Sequence, residues 1–546
     1  MTRFQDQLVL SLELTIDGTA HKIPGGSIKA VRLDLGLTGF VGEVEFIVLD
    51  DKAHGGKFQD KLAKSFLGQD LVELSLSLGA VWDAPEASAS PDPIELSALV
   101  TGRRLEELQM RERESLPVLA RRYTVEFADP AQVLWTQHFP SQLYTKASLK
   151  SAIQDHLGDK IKVKFDWSEL NDTKPMWFVH LPIERGASFW DFIVWYADHR
   201  GGYFAYDYKT AQYTLAGTRD TSAKPLTLFG DDLSRAELVV AEAPRHTVDV
   251  CNSYAEGAKN KTVKNAKAAK GMRHDRLMRS SISADTDDRV KLETSRLNLP
   301  KYEALVRFGR VPMSALTPGV LIKMVAANRW TKGSKLVDVT WLVRRIQLSA
   351  VAFSQPLDGD HQLDSTRFDI EMQAELQQKD DKRSSLPGYR RPDYPGFVEG
   401  KVVSTLGEDT DKTYENSKND DTSLEEYTVK VPLWKDQEVS VPFTPLMGSA
   451  NVYLPCYRDE RVLLALGLDC AEIVQLLSWR EGVALSKDVQ GEQILWGLSA
   501  DSNTSVNHVY DDDKPVFNVA RTHSTDTVSI QLAEGTLMLH VEEVQE

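Results

Sequence analysis

Cysteine is scarce in this sequence: Cys251, Cys456 and Cys470 are the only three in 546 residues, an odd number with no CxxC spacing. That excludes a disulfide framework and a cysteine zinc site, and it fits free thiols in a reducing compartment. Long apolar runs are missing as well, and nothing approaches the roughly 18 residues of a membrane span. The opening stretch, MTRFQDQLVLSLELTIDG, breaks its apolar residues with charges every few positions. It has no signal-peptide core and reads as an alternating strand, so a protein made in the cytoplasm without an export signal is expected. Catalytic signatures are lacking: there is no HExxH, GxSxG or P-loop. The glycines of GLTGFVG at 36, 39 and 42 lie between strands and predict a turn, not a dinucleotide fingerprint. No catalytic residue, metal or cofactor is assigned. Positive charge is the minority too, with 64 basic residues against 80 acidic ones and a formal charge of −16. An acidic chain repels polyanions, so no specific nucleic-acid partner is expected.

What the chain has in quantity is period two. Hydrophobic content of 42% is that of a folded protein, and 61.2 kDa allows several domains. In LVELSLSL at 71–78 the apolar face is Val72, Leu74, Leu76 and Leu78, the pattern of a strand with one wet face. Residues 1–128 predict a small antiparallel barrel or sandwich, with a Pro/Ala/Ser loop at 83–93. After Asp129-Pro130 the character turns α+β. Ser148 can cap a helix carrying Leu149, Ile153 and Leu157 and ended by Gly158. The stretch GASFWDFIVWYADHRGGYFAYD at 186–207 holds eight aromatics. Ser188 and Asp191 make a capping-box start, Phe189, Phe192, Ile193 and Tyr196 form one helix face, and Gly201-Gly202 stops the helix. This predicts a packed core, with Trp190 and Trp195, off the main stripe, as candidates for a partner-facing ridge.

Strand pattern returns over 230–379, interrupted at 257–280 by a basic tract that includes Lys259, Lys261, Lys264, Lys267, Lys270 and Arg273. A solvated loop and contact with an acidic partner are both open for it, with nucleic-acid contact third because no aromatics are interleaved to stack on bases. Residues 380–396, rich in proline and charge, read as a linker. A further small β-domain follows over 397–482, with an acidic insertion at 407–426 expected to be mobile. In the last segment, 483–546, Val528, Ile530 and Leu532 share a face, as do Leu537, Leu539 and Val541 after the turn at Glu534-Gly535. A lone hairpin cannot bury such a face. His508 with Asp511-Asp512-Asp513 is weighed as a cation site against an exposed acidic turn.

Three passages carry a resemblance: YTVEFADPAQVLWTQHFPSQLYTKASLKSAIQDHL at 123–157, the aromatic stretch at 186–207, and GFVEGKVV at 396–403 with YLPCYRDERVLLAL at 453–466 and IVQLLSW at 473–479. In them the chain resembles the VgrG-type spike proteins of contractile injection machines, related to phage tail hubs and spikes. It departs from that family's pattern at Arg458, where a glycine is usual before the acidic pair, and at Gly467-Leu468-Asp469, where a Gly-Asp-Pro turn is common. The resemblance implies a mainly β fold with an α+β insert. It would comprise two tube-like hub barrels (1–128 and 230–379), the insert (129–229), a linker (380–396), an OB-type barrel (397–482) and a short trimeric β-spike (483–546).

It further implies a homotrimer with Val528, Ile530, Leu532, Leu537, Leu539 and Val541 as the spike core, and Val462, Leu464, Ile473 and Leu477 in the OB-type core. Partners would be a hexameric tube protein, baseplate components, a spike-tip cap, a separate cargo effector and, on firing, a target membrane. Localisation would be the bacterial cytoplasm until expulsion. As the sequence runs to Glu546 with no further segment, no added enzymatic domain is expected. A type VI secretion apparatus, a phage tail and an extracellular injection particle all fit. The competing class is a β-rich carbohydrate-processing enzyme, which predicts a monomer with an aromatic-lined cleft and a carboxylate pair.

Overall fold

The computed structural model describes all residues except 1–2, 52–57, 82–92, 114–115, 256, 281, 299–301, 313–315, 327–329, 354–362, 382–385, 421–423, 443–454, 478–490, 500 and 544–546. The loop predicted at 83–93 lies almost wholly outside these, as do parts of the linker and of the acidic insertion. The protein is mainly β with an α+β insert, and it divides into two compact units. The first holds Met1–Ser141, Ser148–Asp172 and Leu181–Asp393, the second Gln142–Ala147, Thr173–His180 and Tyr394–Glu546.

The first unit opens with antiparallel strands β1 (Phe4–Ile16), β2 (Thr19–Pro24), β3 (Ile28–Gly36), β4 (Gly39–Asp50), β5 (Val72–Ala80), β6 (Ile94–Arg113) and β7 (Leu116–Ala128). Alternation dictates the packing: Leu10, Leu12, Leu14 and Ile16 of β1 face Leu78, Leu76, Leu74 and Val72 of β5, all buried. Each such side chain contributes about 1.5–3 kcal/mol on burial. Between β2 and β3 the backbone comes so close that a Cβ on Gly25 would lie 2.3 Å from the carbonyl oxygen of Asp364, so only glycine fits.

Helix α1 (Pro130–Trp135) begins the insert, with the buried Asp129 side chain accepting from the backbone N–H groups of Ala131 and Gln132, each at 3.1 Å. Then come β8 (Ser141–Ser148), α2 (Leu149–Gln154), β9 (Val163–Asp166), β10 (Thr173–His180), α3 (Phe189–Arg200), β11 (Tyr203–Asp207) and β12 (Gln212–Ala216). Ser148 caps α2, which stops at Gln154, a turn short of Gly158. Ser188 and Asp191 form the reciprocal capping box of α3, and Gly201 ends it at φ 72°. Strands β8 and β10 pair with each other and belong to the second unit, where Leu143, Met176 and Phe178 enter its core.

The strand pattern after residue 225 folds as β13 (Leu226–Leu228), β14 (Leu233–Val239), β15 (Thr247–Asn252), β16 (Lys259–Val263), β17 (Arg273–Met278), helix α4 (Ser283–Leu297), β18 (Glu303–Phe308), β19 (Leu321–Met324), β20 (Thr340–Ala352) and β21 (Ser365–Gln378). The longest pair, β20 and β21, serves two neighbourhoods. Residues 345–351 of β20 lie against β3, and residues 365–370 of β21 against β1. Strands β3, β4, β7, β6, β5, β1, β21 and β20 thereby form a closed cycle of eight. The other ends of β20 and β21 pair with β19 and β18, and these meet β13 and β14, consecutive strands joined by a short turn. The first ring is therefore not confined to residues 1–128: β1 and β3 leave a gap that a ribbon more than 200 residues downstream fills. Local periodicity cannot report so distant a pairing.

The second unit holds β22 (Gly396–Val403), β23 (Asn416–Lys418), β24 (Glu425–Val431), β25 (Gln437–Pro442), β26 (Arg461–Leu466) and β27 (Ala471–Leu476), ordered β23-β24-β22-β26-β27 with β25 on β24. Its core gathers Val402, Tyr427, Val429, Val431, Val439 and Val441. The acidic insertion is partly pinned: β23 pairs with β24, and the Glu415 carboxylate accepts from the Thr405 N–H at 2.7 Å and its hydroxyl at 2.9 Å. Those bonds hold the Glu415 carboxyl below its usual range.

Candidate assembly surface

The C-terminal strands are β28 (Glu492–Ser499), β29 (Ser502–Asp511), β30 (Lys514–His523), β31 (Asp526–Ala533) and β32 (Thr536–Glu542), a simple meander. Registered neighbours share a face, so whole rows can be read across the sheet. One row is Ile494, Val506, Val519, Ile530 and Leu539. Beside it Phe517, Leu532 and Leu537 align on one flank, and Trp496, Arg521, Val528 and Val541 on the other. The reverse face carries Gln493, Asn507, Asn518 and Gln531 in a single row that ends at Met538. A sheet with one apolar and one polar face is built to cover the apolar one.

Here the apolar face is the exposed one. All six residues expected in the spike core lie on it, from 40% exposed at Val528 to 71% at Leu539, and Ile494, Trp496 and Phe517 extend the patch. Among the described residues, β28 pairs only with β29 and β32 only with β31, so both edges also offer backbone donors and acceptors. Covering nine side chains that are about half exposed is worth on the order of 10 kcal/mol. An apolar patch of this continuity marks an interaction surface.

The expected OB-type core residues separate into three and one. Val462, Leu464 and Ile473 are buried together. Leu477 is only half-buried and lies past the end of β27, while Leu476 packs on the core. The reason is a bulge: Leu464 pairs with Ile473 but Leu463 with Gln475, so Val474 is an extra residue and the inward phase shifts from odd to even numbers.

The expected partner contacts separate too. Trp190 and Trp195 are 7% and 6% exposed, inside the core and not on a ridge. Trp190 packs edge-on against Phe204 and Tyr213, because the small hairpin β11–β12 covers its side of the helix, and Trp195 stacks on His199 of the same helix. The basic tract is not a loop: β16 and β17 flank β15, and α4 packs on that sheet. Lys259 donates to the Ser283 hydroxyl, Lys261 pairs with Asp287, and Arg273 lies 3.3 Å from Asp275. Lys264, Lys267 and Lys270 are exposed between β16 and β17. Periodicity does not reveal these strands, because KNKTV and RHDRLM carry almost no apolar alternation. The facing acids on α4 were legible as SADTDDRVKLE, with Arg289 and Glu293 at helical i, i+4 spacing.

No group of three or more histidine, cysteine, aspartate or glutamate side chains converges among the described residues. Asp512 and Asp513 take positive φ in the turn between β29 and β30, and His508 lies 3.7 Å from Glu492. Buried Asp129 receives, besides its helix-capping bonds, the N–H of Phe40 at 3.2 Å and the Tyr213 hydroxyl. Burial still pushes its carboxyl up to about 6, against the pull of those bonds.

No protein-family model and no curated protein matches the sequence. Solved structures do match. The chain superposes on a chain of the lidless PdpA–VgrG complex with a TM-score of 0.68, covering 99% of both chains at 13% identity. The half-lidded Francisella PdpA–VgrG complex gives the same score and identity, over 99% of this chain and 88% of that one. A tail protein from Neisseria meningitidis MC58 matches at a TM-score of 0.42 and 10% identity, over 67% of this chain. The first two likenesses establish the fold as that of a chain in a PdpA–VgrG complex.

Proposed function

We propose that this chain is a non-catalytic hub and spike subunit of a contractile injection machine of the type VI secretion kind, working as a homotrimer. The open apolar face of β28–β32 carries the reading: it is continuous, spans five strands and stays uncovered in a single copy. The fold, which follows a chain of a PdpA–VgrG complex over nearly its whole length, supports it. Three such sheets would bury the Ile530 and Leu539 rows against one another around a threefold axis. The β22–β27 domain would be the OB-type barrel of this plan. Two tube-like hub domains per chain, the expected plan, would give six in the trimer, the number that faces a hexameric tube. Baseplate contacts, a cap on the spike tip, a separate cargo and entry into a target membrane belong to the same reading, as does residence in the bacterial cytoplasm until firing. The subunit's work would then rest on slow unfolding under load and not on chemistry.

The test is the mass in solution by light scattering over a wide concentration range. A species at three times 61.2 kDa is expected. A monomer at every concentration, with the Ile530 face accessible to an apolar dye, would overturn the assignment.

A further inference from the structure

A second surface, far in sequence from the C-terminal sheet, has the make-up of a binding cleft. In the first unit a cleft of about 720 Å³ lies between the end of α3, the sheet β15–β17 with α4, and residues 389–391. Its walls carry five arginines: Arg200, Arg276, Arg289, Arg296 and Arg391. Three of them converge on one nearly buried carboxylate, Glu293, with Arg289 at 2.6 Å, Arg296 at 3.4 Å and Arg276 at 3.5 Å. One carboxylate cannot neutralise three guanidinium groups. Arg296 is also held by Asp198 at 3.1 Å, and Arg200 by Glu169 at 2.9 Å. Of the remaining acids on the walls, Asp275 is paired with Arg273 and Asp288 with Lys291, while Asp285, bonded to the neutral Ser280 hydroxyl, keeps its charge, so the walls carry a small positive excess that centres on Arg391.

The arginines are held in place, which separates this cleft from a stretch of waving surface charge. Segment 389–391 is fastened to α3, with the Tyr389 hydroxyl donating to Asp198 at 2.7 Å and the Arg390 N–H to Asp191 at 2.8 Å. Arg391 is thereby brought to the cleft, exposed. His199, between these groups, reports the local field: burial and then the charges of Arg289, Arg200, Arg391 and Arg296 push its pKa down to about 4. The cleft also has an apolar wall, where Leu277 is 78% exposed on β17 next to Met278. A large exposed leucine beside fixed guanidinium groups suits a ligand that brings both carboxylates and an apolar side chain.

We infer that this cleft docks a short acidic segment of a partner protein, carrying carboxylates for Arg289, Arg296 and Arg391 and one apolar residue for Leu277. A protein of net charge −16 repels acidic peptides in general, so a local site that holds one is specific. The proposal does not depend on the spike reading.

Fluorescence anisotropy on the full chain tests it, with a labelled six-residue peptide of glutamate and aspartate around a central leucine, a lysine counterpart, and tripolyphosphate as competitor. Saturable binding of the acidic peptide is expected, weakened about tenfold by Arg391→Glu and about threefold by Leu277→Ser, and falling with salt. Both positions are exposed, so the two variants should keep the parent's melting curve. The lysine peptide should not bind. Absence of saturable binding, or binding indifferent to both substitutions, would overturn the inference. So would a Leu277→Ser variant that binds like the parent while tripolyphosphate displaces the peptide at equal concentration, since the site would then hold a free polyanion.

Discussion

The first strand ring and the C-terminal meander are written in the same alphabet and end in opposite states. In β1 and β5 the alternating leucines meet across a ring closed by β20 and β21, and their side chains leave water entirely. In β31 and β32 the pairs Val528–Val541, Ile530–Leu539 and Leu532–Leu537 are equally well registered, yet all six remain exposed. Alternation thus fixes which face is apolar. It does not fix what covers that face. In the ring the cover comes from the same chain, once a ribbon more than 200 residues away has closed it. In the meander the described residues of the same chain leave it open, and under the proposed function further copies would supply the cover.

That contrast can be broken from either side. The largest effect is expected from Ile530→Lys with Leu539→Lys, which places two charges in the middle of the open face. Burying an unpaired charge costs several kcal/mol, so assembly should be lost at micromolar concentration while the monomer folds as before, read by light scattering and circular dichroism. Next comes Leu12→Ala in the closed ring, expected to cost 2–5 kcal/mol in denaturant unfolding at every protein concentration. Leu539→Ala should instead lower stability only where the chain is assembled, so its shift should vanish on dilution.

Asp129 sharpens the comparison through pH. Its folded pKa, about 6, lies above the unfolded value near 3.8, so its protonated form is favoured by folding. The corresponding contribution, about 3 kcal/mol, is full below pH 4 and fades as pH rises through 6. Asp129→Asn keeps an acceptor for the helix N–H groups and should flatten this part of the stability–pH curve, measured by melting between pH 4 and 8. The smallest effect is expected just past the bulge, at Leu477. Leu464→Ala should cost 2–5 kcal/mol and Leu477→Ala under about 1, by chemical unfolding, because Val474 has moved Leu477 out of the inward phase.

What the sequence revealed follows the range of each signal. Signals carried by neighbouring residues survived: the faces of β1, β5, β31 and β32, the cap at Ser148, and the capping box that starts the aromatic helix. Signals that need a distant partner did not. Nothing near Val31 or Phe4 announces that β20 and β21 will lie beside them. Trp190 looked available because its cover, β11–β12, is a separate element. The sheet β15–β17 was hidden for a different reason: lysine and arginine occupy both of its faces, and the ordering comes from carboxylates on α4. The arginine cleft combines both failures, since its residues come from three segments and none is unusual alone.

The ribbon of β20 and β21 has a mechanical consequence. The eight-strand ring and the strands β13, β14, β18 and β19 are joined through β20 and β21, so no flexible tether separates them, and neither part can swing or twist without shearing a ladder that also belongs to the other. A pull along that ribbon would be resisted by many backbone hydrogen bonds loaded in parallel, not unzipped one by one. The ring and the strands beside it should therefore yield as one piece, with a single rupture force where two independent domains would give two.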